Sequence, residues 1–466
     1  MSEPAAVPVQ EVKLYARHVK LYPKATRGWF TSWRWAMVWF TQLLYYGTVW
    51  LEWNGRQAVL FHLAERKFYI FGLVLWPQDF IYLTGLLIIS AYALFLFTAV
   101  AGRLFCGYAC PQTVYTEIFM WIEKLIEGDR VRRMKLDQAA NSPKKLALKT
   151  LKLGLWSAIA LWTGFTFVAY FTPIRELSAE VLSLTVSGWS LFWMLFYAGF
   201  TLLQAGFMRE QVCKYMCPYA RFQSSMFDKD TMIVTYDTER GEPRGARAKK
   251  SDAKAQGVGD CVDCGICVHV CPTGIDIRQG LQYECIGCGA CIDGCDTMMD
   301  KMGYARGLIR YSTEHAMQQH WSKKEIWAHV FRVRTLVYAT ILLLITCLWA
   351  GALYWRNPLK VDVIRDRGSL ARELDAGVIE NVYRLQIINT EELTREVVIR
   401  VEGLEGAVVA SRADVTLAPT SSVFVPVRVQ VPPGVGQPGS NRLRFIVEQP
   451  QSHHQVVEKA AFFIPR

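Results

Sequence analysis

Charge is all but missing from four stretches of this sequence, residues 80–102, 151–171, 188–208 and 335–355, where Lys152 is the sole ionic side chain. Each is about 20 residues long, the length a helix needs to cross a bilayer. Buried helices of soluble proteins are rarely so long and so apolar, so this absence excludes an ordinary soluble globule. A fifth run, 35–51, is shorter, carries no charge and is flanked by aromatics. It completes an expected set of about five transmembrane α-helices. The stretch 68–76 is too short to span and reads as interfacial or re-entrant. Three further absences narrow the field. The first 30 residues hold no apolar core ahead of a small-residue cleavage site, which predicts that the first span is an uncleaved anchor. No nucleic-acid recognition motif accompanies the net charge of +11, so nucleic acid is not an expected partner, whereas membrane lipid is. Cysteine occurs 13 times but never within 360–466, which removes disulfides and thiolate metal sites from the C-terminal part.

What is present then falls into order. With five spans, the strongly basic segments all lie on one side. Lys13, Arg17, Lys20, Lys24, Arg27 and Arg34 come before or at the first span, and a dense series from Arg103 to Lys152 follows the second, whereas the loop 172–187 has only Arg175. Lys and Arg mark the cytoplasmic face. The expectation is a multi-pass protein of a bacterial cytoplasmic (inner) membrane, with the N-terminus inside and the C-terminus in the periplasm. Residues 1–34 are a basic cytoplasmic segment, 35–208 a four-span membrane domain, 209–332 a cytoplasmic insert and 333–355 the fifth helix. Residues 360–466 have another character. YRLQI (383–387), VVIRV (397–401), VFVPVRVQV (423–431) and RLRFIV (442–447) alternate with period two around turn clusters such as PPGVGQPGSN (432–441), the pattern of a β-sandwich. His453 and His454 read there as surface residues. RGEPRGARAKKSDAKAQG (240–257) is polar and reads as a flexible linker.

The insert carries eight cysteines in two groups, CVDCGICVHVCP (Cys261, Cys264, Cys267, Cys271) and CIGCGACIDGCD (Cys285, Cys288, Cys291, Cys295). The spacing C-x2-C-x2-C-x3-C is that of bacterial two-cluster ferredoxins, in which the fourth cysteine of each run serves the other cluster. One 4Fe-4S cluster is therefore expected on Cys261, Cys264, Cys267 and Cys295, and a second on Cys271, Cys285, Cys288 and Cys291. Gly265, Gly287 and Gly289 let the backbone turn close to the inorganic sulfides. Zinc sites use C-x2-C pairs rather than two such runs, and a reducing cytoplasm argues against disulfides. Asp296 stands where proline is usual. His269 reads as a neighbour rather than a ligand.

Two more pairs follow apolar runs: CGYACP (Cys106, Cys110) and CKYMCP (Cys213, Cys217). Their shared C-x-Y-x-C-P looks like an internal repeat. Pro111 and Pro218 mark a helix break or the first turn of a new helix. The simplest geometry brings the four thiols together, as packing residues, a redox-active thiol set, a soft-metal site for copper, or the ligands of a third cluster. Cys347 stands alone in the last span and reads as packing.

Four spans with two C-x3-C-P motifs and a two-cluster insert resemble the NapH/NosR-type membrane ferredoxins. With the last span, the β tail and YDTERGEPRG (236–245), the chain resembles more closely the cytochrome c oxidase accessory family CcoG, also called FixG or RdxA. The resemblance implies an immunoglobulin-like periplasmic domain. It also implies reduction of Cu(II) to Cu(I) for assembly of a cbb-type oxidase, with Cys106, Cys110, Cys213 and Cys217 binding copper or relaying electrons. Copper ions, oxidase assembly factors or copper chaperones, an electron donor of unknown identity and a second copy in a homodimer are the partners to expect. Two other functions fit the same residues: an electron-transfer module linked to quinone or a partner reductase, and an assembly scaffold whose clusters are structural.

Overall fold

The computed structural model describes residues 20–249, 257–365, 371–450 and 454–465. Among them, four helices are long and apolar enough to cross a membrane: Pro77–Ala101, Pro143–Ala169, Gly188–Met208 and Val333–Tyr354. Most of the run at 35–51 is also helical, the end of helix Trp29–Gly47 followed by the short turn Thr48–Trp50, but it does not join that set. Its Trp, Tyr and Thr residues make it less apolar than the aliphatic runs.

The chain divides into two compact units. The first comprises Met1–Leu43, Ala93–Gly164 and Phe192–Tyr338, and it contains every cysteine except Cys347. Helix Pro111–Glu127 packs through Phe119 and Ile122 on Trp156 and Ala205, and the rings of Phe119 and Trp156 stack at 5.1 Å. A paired ionic network lies beside them. Glu123 is buried and meets Arg133 at 2.8 Å and Arg209 at 2.7 Å, while Glu127 meets Lys149 at 2.8 Å and Lys152 at 3.0 Å. The cysteine-rich insert is built on an antiparallel strand pair, Ile233–Tyr236 with Ile309–Ser312, and on helices Ile266–His269 and Ala290–Met302. Asp293 of the latter caps helix Trp29–Gly47. Its Oδ2 accepts from both the backbone N and the Oγ1 of Thr31 at 2.7 Å, and its Oδ1 accepts from Phe30 N at 3.2 Å.

Residues 240–249 are not a free linker, contrary to the expectation for 240–257. Arg240 Nε meets Asp260 Oδ2 at 2.6 Å, Gly245 N donates to Cys261 O at 3.2 Å, and Arg247 Nε donates to the Tyr304 hydroxyl at 3.1 Å. Composition alone does not distinguish solvated arginines from arginines with partners. Residues 250–256 lie outside the described residues, as does His453. His454 is exposed at the start of strand His454–Ile464.

The second unit comprises Leu44–Tyr92, Phe165–Leu191 and Ala339–Arg466. The stretch 68–76 was expected to be interfacial or re-entrant. It supplies two strands of an antiparallel meander, Val59–His62, Lys67–Ile70 and Leu73–Leu75. Tyr69, Val74 and Trp76 gain burial by packing with Leu60 and Ile388. The C-terminal part is a sandwich. One sheet runs Val408–Val409, Ser422–Val431, Ile379–Asn389, Leu359–Arg365, and the other Asp414–Leu417, Arg395–Glu402, Gly439–Gln449, His454–Ile464. Alternate residues Tyr383, Leu385, Ile387, Leu443, Phe445 and Val447 fill the space between them, as the pleat requires. Buried Asp79, ahead of the second apolar run, accepts from Arg356 at 3.1 Å and from Lys360, which ties that helix end to the first strand of the sandwich. Trp349 Nε1 donates to Tyr82 O at 2.9 Å, joining the Pro77–Ala101 and Val333–Tyr354 helices. Cys347, on the second of these, is exposed.

Candidate functional site

The two cysteine runs fold alike because each holds a left-handed glycine at a helix start. Gly265 (φ 64°) precedes Ile266–His269 and Gly289 (φ 71°) precedes Ala290–Met302. A side chain at Gly289 would place Cβ 2.7 Å from the Phe30 ring as well as straining the backbone. The third cysteine of each run, Cys267 or Cys291, thereby enters a first helical turn. Backbone N–H groups of Gly287, Ala290 and Val268 face the sulfurs of Cys285, Cys288 and Cys267. These are the donors that thiolates and sulfides require.

Cys291 and Cys295 are spaced i, i+4 on one helix and have largely different thiol neighbours. Cys295 has Cys267, Cys261 and Cys264 as neighbours, whereas Cys291 has Cys288, Cys285 and Cys271, with Cys267 the weakest of its four. Burial pushes the thiols of Cys285 and Cys295 up to about 12 and that of Cys267 to about 11. Thiolates this deep need a cationic centre to hold their charge, and the irons of a 4Fe-4S cluster supply it. Cys264 is exposed, so the first group reaches the surface. Asp296 lies mid-helix in Ala290–Met302 and accepts from Gly307 N at 2.9 Å. Proline there would break a helix that runs on to Met302. After Cys271, by contrast, the helix has already ended at His269.

The C-x3-C-P pairs have their own shared geometry. Cys110 and Cys217 are N-cap residues, and Pro111 and Pro218 are the first residues of helices Pro111–Glu127 and Pro218–Met226. A proline there gives up an N–H that would have no helical partner. Gln112 then ties the apolar segment to this start, since its Nε2 donates to Gln204 O at 3.0 Å and to Arg209 O at 3.1 Å. The four thiols are neighbours. Burial pushes Cys106 up to about 12, with Cys110, Cys213 and Cys217 adding to it, and it pushes Cys213 to about 11, with Cys110 and Cys217 adding. Cys106 donates to Gln223 Oε1 at 3.4 Å. Among the described residues, no three His, Cys, Asp or Glu side chains converge closely enough to hold a single ion.

The repeat is not symmetric, and its first copy is the joint. Cys106 and Cys288 belong to one buried cluster with Val270, Ile286 and Ala290. A Cβ on Gly107 would lie 2.8 Å from Ile286 O, 2.9 Å from Gly287 O and 3.0 Å from Cys288 Cα. Tyr108 donates to Cys288 O at 3.3 Å, and Tyr311 donates to Gly287 O. Tyr215, its counterpart in the second copy, is exposed. Two buried cations complete the joint. Arg103 donates to Tyr283 O and Ala220 O, and its charge favours the thiolates of Cys106, Cys213 and Cys285. Arg34 pairs with Glu117 at 2.6 Å and lies beside Cys288. Sequence reasoning missed Arg34, Arg103 and the task of Tyr108. The only signal was the tyrosine inside the repeated motif.

Comparison with known families agrees with this layout. A 4Fe-4S dicluster domain matches residues 208–314, a 4Fe-4S binding domain matches 83–128, and an IG-like fold at the C-terminal of FixG matches 349–465. The nitrogen fixation protein FixG of Rhizobium meliloti (strain 1021) is 35% identical over 97% of this chain and 94% of its own. The chain belongs to the FixG/RdxA family. Protein RdxB of Cereibacter sphaeroides is 38% identical over 93% of both chains, and RdxA of the same organism is 38% identical over 84% of both. As a FixG/RdxA protein with four membrane-length apolar helices, 4Fe-4S domains and an Ig-like C-terminal domain, it is a membrane iron–sulfur protein of the oxidoreductase type.

Proposed function

We propose that this FixG/RdxA protein reduces Cu(II) to Cu(I) at the membrane and supplies Cu(I) for assembly of a cbb-type cytochrome c oxidase. The observation that carries the reading is the single buried cluster that holds both Cys106 and Cys288, which supports an electron path between the C-x3-C-P thiols and the second ferredoxin-type thiol group. Cys261, Cys264, Cys267 and Cys295 hold one 4Fe-4S cluster, and Cys271, Cys285, Cys288 and Cys291 hold the other. Such clusters exchange one electron each, the number that copper reduction needs. Cys106, Cys110, Cys213 and Cys217 form the copper end, where soft thiolates favour Cu(I) over Cu(II). Arg103 holds charge balance between the two, and Gly107 and Tyr108 set their spacing. The distribution of Lys and Arg supports a cytoplasmic N-terminus and dicluster insert, with the sandwich in the periplasm offering its surface to assembly partners.

A specific observation favours a second reading of the four thiols. The 4Fe-4S binding domain matching 83–128 includes Cys106 and Cys110, which supports a third cluster and a membrane electron-transfer module. Counting electrons tests both. Anaerobic protein is reduced, freed of excess reductant and mixed with Cu(II) and a Cu(I)-specific chelator. One Cu(I) per electron lost by the clusters is the expected result. Clusters that stay reduced in excess Cu(II) contradict copper reduction, and about twelve irons per chain rather than eight would assign the four thiols to a cluster.

A further inference from the structure

We infer that a cavity at the charged end of two apolar helices binds the ring of a membrane quinol, which makes the quinol the electron source for the proposed reductase. The inference rests on the electron-transfer reading above and names the donor that this reading leaves open. The cavity, of about 490 Å³, is lined by Lys149, Lys152, Trp156, Phe207, Arg209 and Glu210, among others. That volume falls within the roughly 300–1,000 Å³ of small-molecule sites. Trp156 and Phe207 come from the apolar helices Pro143–Ala169 and Gly188–Met208, so the aromatic walls lie on the membrane-length elements that the isoprenoid tail of a quinone would follow.

The segment beside the cavity is irregular in a way that needs a reason. Residues Leu202–Met208 and Val212–Met216 are both π-helical, a widened geometry that recurs at functional sites. Between them Arg209 adopts φ 43°, a strained backbone for a non-glycine residue. That turn places Arg209 over the Trp156 ring at 5.4 Å and against Glu123 at 2.7 Å, while Lys152 stands 4.8 Å from the same ring. Arg209 and buried Glu210 also line a smaller cavity, with Cys213, Thr273 and Ile286. Arg209 and Glu210 thus border both the aromatic cavity and a cavity that includes Cys213.

The polar end discriminates among ligands. A phospholipid phosphate would suit Lys149, Lys152 and Arg209 but would meet the carboxylates of Glu123 and Glu210, which line the same cavity. A quinol needs both kinds of group: cations facing its oxygens, and a carboxylate to take a proton from an O–H. In the balanced step both O–H bonds break and two C=O bonds form. The two electrons go singly to two oxidised iron–sulfur centres, and the two protons leave through Glu210 to water.

The test uses the full chain with its clusters in phospholipid nanodiscs, irradiated with an azido-ubiquinone photoprobe. Label is expected within 149–156 or 206–210, displaced by excess decyl-ubiquinone and lost in Phe207→Ala, where the replaced ring is 58% exposed and its removal spares the core. Glu210→Gln keeps the label but slows cluster reduction by decyl-ubiquinol at least about tenfold, as loss of a proton acceptor should. Label elsewhere in the chain overturns the inference. Label in the cavity that anionic phospholipid displaces and decyl-ubiquinone does not also overturns it, and assigns the cavity to a lipid headgroup. Copper reduction by dithionite-reduced wild-type protein is run alongside. Its failure sinks the copper reading and leaves the label to decide the cavity.

Discussion

The hydroxyl of Tyr108 donates to the carbonyl oxygen of Cys288 at 3.3 Å. One residue of the membrane-edge motif C-x-Y-x-C-P thus holds the backbone of a ferredoxin-type cysteine. The neighbouring Gly107 fixes the approach, because a Cβ there would collide with three backbone atoms of Ile286, Gly287 and Cys288. Backbone cannot swing aside as a side-chain end can. Gly107→Ala is expected to cost about 1–3 kcal/mol by overpacking and to release iron from the Cys271, Cys285, Cys288 and Cys291 group while the other group keeps its own. Iron analysis with EPR checks this, and full iron content with unchanged spectra would show that the contact does not set the loop.

Arg34 is 5% exposed, pairs with Glu117 and lies beside Cys288. A fixed positive charge beside a cluster favours its reduced, more negative state. Arg34→Gln should therefore lower the midpoint potential of the cluster on that group and leave the other unchanged. Glu117→Gln should raise it, at a stability cost of about 3–5 kcal/mol for breaking a buried pair. An EPR-monitored redox titration reads both shifts, and equal potentials in wild type and both variants would sink this account of Arg34.

The helix Ala290–Met302 runs straight through Asp296, where related motifs place proline. Asp296→Pro removes an interior N–H and should cost about 3 kcal/mol. The loss should appear as a lower Tm and as faster amide exchange over 297–302. A variant as stable as wild type would mean that the helix ends earlier than its hydrogen bonds indicate.

Acid should weaken the first unit through Glu123 and Asp137. Burial pushes the Glu123 carboxyl up, but Arg209, Arg133 and Lys152 outweigh it and hold it below the ordinary range. Burial acts likewise on Asp137, and hydrogen bonds from Lys149, Lys20 and Tyr22 hold it well below. A carboxyl depressed in the folded state stabilises fully above its unfolded pKa, and that stability is lost as pH falls through the folded value. Glu123→Gln, which strands buried cations, should be less stable than wild type by about 3–5 kcal/mol at pH 7. The gap should narrow below about pH 4. Thermal unfolding from pH 3 to 7 checks this, and a gap that stays constant over the range would contradict it.

The four apolar helices and the sandwich strands were legible because hydropathy reports membrane-length segments and period-two alternation reports the buried face of a strand. Leu385, Ile387, Phe445 and Val447 need no tertiary information to be placed inside. The eight ferredoxin-type cysteines and the N-capping places of Cys110 and Cys217 were legible for a similar reason, since spacing and a following proline are local facts. Arg34 and Arg103 were not. Each is an arginine in a basic segment, and only the folded chain shows that it is buried against a thiol group rather than solvated. The strands of 68–76 were not legible because their partners at 59–62 lie outside a short apolar window.

The central claim is that electrons pass from the ferredoxin-type clusters to copper through Cys106, Cys110, Cys213 and Cys217. The most direct test is stopped-flow reoxidation of fully reduced clusters by Cu(II), comparing wild type with a variant in which those four cysteines are serine and iron content at the other eight is verified. The account predicts reoxidation that keeps pace with Cu(I) formation in wild type and falls at least about a hundredfold in the variant, the scale of losing a positioned site. Equal rates in the two proteins would contradict it.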